Sequence, residues 1–237
     1  MQQDELEKFL QQVRNKRGYL LPHHGLMAVS MPSMLEAYDA LYTALALTPR
    51  QLSRHDHEFV WMGVLIVKDE VLGTHHLKRF HDAGGTDDEL ATALAITALA
   101  KGCDTYNFVE NHWLPHLPAF APRERYLNAF RLVADGVPLQ LAHLTACAVH
   151  TCTGNWAALR WQITAAYADG IDELELAEAL SLAMFPGSVP YYVEAAGVWR
   201  ELIASGEVQA SELFSSWARL SGQGGYDEAV GLTGEDS

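Results

Sequence analysis

"DEVLGTHHLKRFHDAGGTDDEL", Asp69 to Leu90, is the stretch whose reading decides the fold of this chain. Gly84 and Gly85 stop one helical segment, and Thr86 followed three residues later by Glu89 has the capping-box pattern that starts another. At helical spacing Asp69, Leu72, His76 and Arg79 or Phe80 fall along one stripe, with Lys68, His75 and Asp82 displaced around the helix. Three histidines and an arginine on so short a segment raise a chemical question as well as a structural one.

Outward from this stretch the same signals recur. "SMLE", Ser33 to Glu36, has the capping-box pattern, and "TPRQ", Thr48 to Gln51, combines a cap residue, a first-turn proline and a glutamine reaching back. The second marks the start of a largely buried helix carrying "HDHEFVWMGVLIV", His55 to Val67. Strand signals are nearly absent, so the fold class is all-α. Helices are expected near residues 4–16, 33–46, 50–66, 69–83, 87–100 and 104–113. After the proline-rich link "LPHLPAFAPRER" they are expected near 123–134, 138–152, 155–168, 172–185, 190–204 and 209–220. Residues 222–237 read as a flexible acidic tail.

Composition narrows the function. A length of 237 residues is enough for a full core without disulfides or metal. With 16 basic against 30 acidic residues the net charge is −14, which disfavours nucleic acid and anionic membranes, since both need a basic footprint. There is no apolar signal core at the start and no run of about 18 apolar residues, so a soluble cytoplasmic protein with a small-molecule substrate is expected. Cys103, Cys147 and Cys152 show neither CxxC nor zinc spacing and read as buried thiols. No phosphate-binding glycine motif is present, so no nucleotide cofactor is implied.

Shifting the chain by 86 residues superposes "AGGTDDELATALAITALAKGCDTYNFVENHW" on "ADGIDELELAEALSLAMFPGSVPYYVEAAGVW". Gly84 meets Gly170, Glu89 meets Glu175, Tyr106 meets Tyr192 and Trp113 meets Trp199, which points to an internal repeat of helical units. Residues 1–120 are read as a first unit with N-terminal helices and 121–221 as a second, degenerate one.

A helix ending in His76, a glycine eight residues later and the Thr86-acid-acid-Glu89 start resemble the core of the carboxymuconolactone decarboxylase and alkylhydroperoxidase D-like superfamily. "NKRGYLLPHHGLMAVSMPSMLEAYDALYTAL", Asn15 to Leu45, resembles the segment that leads into that core. The resemblance implies a bundle of two such helical units and assembly as a homo-oligomer, a dimer or trimer of the two-copy chain. In the peroxidase branch a dithiol stands where this chain has Asp69 and Leu72, and the glutamate slot falls on His57, with Glu58 one residue off. In the second copy the slots hold Asn155, Ala158 and Gln162. Peroxide reduction needs a thiolate and a resolving thiol, so a CxxC peroxidase is not implied.

The family's other branch needs only acid/base groups and a pocket. The resemblance therefore implies a cofactor-independent, decarboxylase-like carbon–carbon lyase acting on a small oxo-acid or lactone carboxylate. His76, with Glu58 or His57, is the candidate proton donor, and Asp69 a candidate to hold water or a substrate hydroxyl. Arg79 suits a carboxylate clamp, and Trp61 and His75 are candidates for the pocket wall. Two alternatives stand beside this: a non-catalytic binding or assembly protein of the same fold, and a metal-dependent enzyme using His55, His57, His75, His76 and His81. The spacing of these histidines is poor for a helical metal site, because the two in "HDH" point to different helix faces, and no metal is assigned.

Overall fold

The computed structural model describes residues 3–223 and 225, and every regular element among them is helical. The expected tail of residues 222–237 lies, apart from 222, 223 and 225, outside the described residues. The chain divides into two compact units at Pro49 and Arg50. No helix among the described residues is long and apolar enough to cross a membrane.

The first unit holds α1 (Gln3–Arg17), α2 (Pro22–Ser30) and α3 (Pro32–Tyr42), the last running into a π-helical turn, Thr43–Leu47. Val13, Ala28 and Leu35 form its core, and the buried Arg17 binds Asp39 and lies over the rings of Tyr38 and Tyr42. One expectation is corrected here, and one helix, α2, lies outside the expected set. Pro32 already occupies the first turn of α3, so Ser33 is inside the helix and caps nothing; Met31 is the N-cap and offers no side-chain bond. The sequence gives no capping signal for α2 either, because its N-cap is Leu21 and the ring of His24 takes the Leu21 N–H instead.

The second unit contains α4 (Arg54–Lys68), α5 (His75–Asp82), α6 (Asp87–Lys101) and α7 (Asp104–Phe108). They are followed by α8 (Pro122–Val133), α9 (Leu139–Thr153), α10 (Trp156–Ala168), α11 (Glu173–Ser181), α12 (Val189–Ala204) and α13 (Glu212–Ala218). The core is centred on α9, in which Leu141 through Cys152 are all buried. Helix α4 crosses it closely at Gly63, where a Cβ would stand 2.6 Å from Thr145 Cγ2. The buried hydroxyls of Thr145 and Thr151 donate to the carbonyls of Leu141 and Cys147, four residues back, so the core carries no cost for them.

The start of α6 matches its sequence signal: Thr86 Oγ1 accepts from Glu89 N–H at 3.2 Å, and Glu89 accepts from Thr86 N–H at 2.9 Å. The start of α4 does not match. It begins at Arg54 with Ser53 as the cap, accepting from Asp56 N–H, because the Gln51 and Leu52 N–H groups are taken by Glu178 of α11. The helix expected from residue 69 starts at His75. Asp69 is instead the left-handed C-cap of α4 (φ 53°), and a 3₁₀ turn, Val71–Gly73, intervenes.

Candidate active site

Helices α4 and α5 form an antiparallel hairpin. The position of Gly73 faces Leu65, His76 faces Glu58, and the ring of Phe80 lies 6.1 Å from that of Phe59. The hairpin brings together residues read from the sequence as catalytic. His76 Nδ1 lies 2.7 Å from Glu58 Oε2, and both side chains are buried. Of the two candidates for the glutamate slot, Glu58 therefore meets His76, and His57 faces elsewhere.

His57 and Trp61 are one helical turn apart on α4. Trp61 Nε1–H donates to His57 Nε2 at 3.0 Å, and His57 Nδ1 lies 2.9 Å from Glu178 Oε1. The Trp61 ring stacks on that of His76, with centroids 4.4 Å apart and planes at 22°. Trp61 is thus a buried cover over the imidazole. His75 is half-buried with its ring centroid 4.5 Å from that of His76, and Arg79, half-buried one turn further along α5, acts electrostatically on Glu58, His75 and His76.

Burial dominates the electrostatics of this cluster. It pushes the Glu58 carboxyl up to about 7, against the opposing pull of His57, Arg79 and Arg54. The same burial, with help from the Arg79 and His57 charges, lowers His76 to about 3, and burial followed by the His76 and Arg79 charges lowers His75 to about 4. The pair is driven toward its uncharged form, with one exchangeable proton near neutral pH. When Glu58 is ionised, it accepts from His76 Nδ1–H and Nε2 is a bare base. When Glu58 holds its proton, it donates to Nδ1 and the ring proton sits on Nε2. A proton gained or lost by the carboxyl is thus expressed at the far side of the ring.

Asp69 stands apart from this pair. Eleven residues beyond Glu58 on α4, it is about 16 Å along the helix axis and exposed. It lies instead on the wall of a groove of about 630 Å³ beside the hairpin. Met62, Leu65 and Ile66 of α4, Thr74 and Leu77 near α5, and Leu90 and Leu94 of α6 supply most of the wall. Met62 is one turn from Glu58, and Leu77 is next to His76. The volume is in the range that takes a small ligand.

The remaining histidines are held separately. His55 pairs with Asp56 and Glu89, and His81 pairs with Asp87. Among the described residues no group of three or more His, Cys, Asp or Glu side chains is placed to hold a metal ion. The three cysteines are free and buried, and burial raises each thiol well above its ordinary value.

The residue that sequence reasoning missed is Glu178. It lies about 120 positions from His57, in the apolar run Leu176 to Leu182, where a buried carboxylate amid Leu and Ala is the one local sign of a role. Burial alone would raise its carboxyl, but hydrogen bonds from His57, Leu52 N–H and Gln51 N–H outweigh burial and hold it below the ordinary range.

Compared with known proteins, the chain matches no family model, no curated protein and no solved structure.

Proposed function

We propose that this chain is a cofactor-independent, decarboxylase-like lyase that works by proton transfer on a small oxo-acid or lactone carboxylate. The observation that carries the reading is the buried Glu58–His76 contact at 2.7 Å, with the carboxyl raised to about 7 by burial. An acid poised near the working pH is the one best able both to give and to recover a proton. Arg79, whose charge already acts on both members of the pair, would hold the substrate carboxylate, and the Trp61 ring stacked on His76 would keep water from the carbanion.

In this scheme carbon dioxide leaves with the carbon–carbon bond pair remaining on the substrate as an enolate. His76 Nε2–H protonates that carbon while Glu58 passes its proton to Nδ1. The pair ends as carboxylate and Nδ1–H imidazole, and one solvent proton restores it.

The same reading takes residues 1–120, with the N-terminal helices, and 121–221 as two related helical units. Its support is the order α4, α5, α6, α7 followed, after α8, by α9, α10, α11, α12, together with positive φ at both Gly84 and Gly170. Only the first copy carries the acid/base pair, and the chain would assemble as a homo-oligomer.

A second reading is favoured by one observation: Glu58 and His76 are each only 2% exposed, as a purely bracing pair would be. The two are separated by measuring carbon dioxide release, and deuterium uptake from solvent at the carbon that lost it, across a panel of 3-oxo acids and lactone acids. His76→Gln and Glu58→Gln lower turnover at least about 100-fold with helicity retained if the pair is catalytic. Unchanged turnover in either variant removes that residue from the mechanism.

A further inference from the structure

We infer that Glu178 is a positioning residue for the Glu58–His76 pair: from α11 it fixes the ring of His57, His57 fixes the indole of Trp61, and the indole is held flat against His76. The inference rests on the acid/base reading of that pair and adds to it a residue more than a hundred positions away in sequence.

Each link follows from what its atoms can donate. The Trp61 indole has one polar atom, Nε1–H, which can only donate, so His57 Nε2 at 3.0 Å must present a lone pair. The His57 ring proton is then on Nδ1 and points at Glu178 Oε1, 2.9 Å away. The other Glu178 oxygen accepts from Gln51 N–H at 2.7 Å and Leu52 N–H at 3.0 Å, and Arg50 Nε stands 3.6 Å from Oε1. The carboxylate therefore cannot turn without releasing the segment that leads into α4. Every rotor from α11 to the imidazole is determined, which is the condition for a side chain to hold a reacting group in register.

The consequence falls on the water around the pair. Trp61 covers one face of the His76 ring, with the planes only 22° apart. An indole released from His57 would let solvent reach both members of the pair, and the burial that displaces their protonation would weaken. The charged and titratable groups that face the pair are His57 and Arg54 on α4 and His75 and Arg79 on α5. Glu178 acts on it only through His57 and Trp61.

The test follows the Glu58 carboxyl by carbon NMR and the histidine rings by nitrogen NMR as pH is varied. Wild type is compared with Glu178→Ala, His57→Phe and His57→Gln. Wild-type His57 should carry its proton on Nδ1 at neutral pH. Glu178→Ala should move the Glu58 midpoint down by about one pH unit or more, a tenfold change in its ionisation constant. His57→Phe should lie as far below His57→Gln, since both lack the imidazole that pulls on Glu58 but only the glutamine keeps the contacts, its amide oxygen taking the indole N–H and its NH₂ donating to Glu178. A midpoint indifferent to Glu178→Ala and equal in His57→Phe and His57→Gln overturns the inference and leaves the acid/base reading intact. A wild-type midpoint in the ordinary carboxylate range overturns the acid/base reading itself. Should either substitution prevent folding, the wild-type tautomer decides, and an Nε2–H His57 sinks the chain of contacts at its first link.

Discussion

The α4–α5 hairpin and the α9–α10 hairpin each bury a polar pair, and the two pairs differ in whether they can store a proton. In the first, Glu58 bonds His76, 18 residues on; in the second, His143 bonds Gln162, 19 residues on. Both begin in the first turns of a long buried helix and end on the helix that follows. The second pair sits in a longer chain. His143 Nε2 is 2.9 Å from Asp169, the Gln162 amide joins His143 Nδ1 at 2.7 Å to the Tyr126 hydroxyl at 3.1 Å, and Tyr126 contacts His150 Nε2 at 2.8 Å.

The directions in this second chain can be deduced from its outer end. With His143 neutral, Nε2–H donates to the Asp169 carboxylate and Nδ1 must accept, so the Gln162 NH₂ faces it and the Gln162 oxygen faces Tyr126. The tyrosine then donates to Gln162 and accepts from His150 Nε2–H. His150 Nδ1 remains a bare acceptor, and it has no hydrogen-bond partner among the described residues. An amide in the middle cannot store a proton, whereas a carboxyl raised to about 7 can. Two pairs of similar placement thus differ in the one property acid/base catalysis requires.

The sharpest way to break the contrast is to make the first pair like the second. His76→Gln leaves Glu58 beside an amide and removes the ring that would relay its proton. Turnover on a 3-oxo acid substrate should fall by about 10²- to 10⁴-fold, with the far-ultraviolet circular dichroism unchanged. A variant retaining wild-type turnover would make both hairpins bracing elements and erase the difference.

Tyr126→Phe probes the other side, where the expected effect is on stability. The phenol is fully buried, and its loss strands His150 Nε2 and the Gln162 oxygen without partners. Each stranded group costs about 1 to 3 kcal/mol, read as a lower midpoint of urea unfolding with an unchanged slope. No loss of stability would show that the chain is not satisfied as its geometry states.

These regions also show what was legible in the sequence. The Thr86 cap was readable because both of its bonds close within three residues. The pairing of His76 with His57 or Glu58 comes from the family resemblance; spacing alone does not choose between the two, which differ by one residue and face different neighbours. The start of α4 was not readable, since the N–H groups of Gln51 and Leu52 go to Glu178, which no local pattern connects to them. The Ser33 pattern misled because Pro32 fixes a helical φ one residue earlier. The roles of Tyr126, Gln162 and Glu178 depend on which helices meet, and that is set by shapes such as the Gly63 crossing with Thr145 rather than by any motif.

The smallest effect lies at the outer end of the second chain and concerns pH. Burial by itself would raise the Asp169 carboxyl; the His143 hydrogen bond and the Arg131 charge outweigh it, so the folded value is below the ordinary 3.8. A carboxyl depressed in the folded state stabilises the fold at pH above its unfolded value and loses that contribution as pH falls through the folded value. Asp169→Asn cannot ionise and lacks the contribution throughout. The wild-type advantage in melting temperature should therefore be constant from pH 7 to about 5 and shrink below about 4, where the wild-type carboxyl takes up its proton. Because the Asp169 side chain is 24% exposed, solvent screens the interaction and the advantage should be well below the Tyr126 effect. An advantage that persists undiminished at pH 3 would mean that the carboxylate does not anchor His143, and the direction assigned to the whole chain, down to the bare Nδ1 of His150, would lose its starting point.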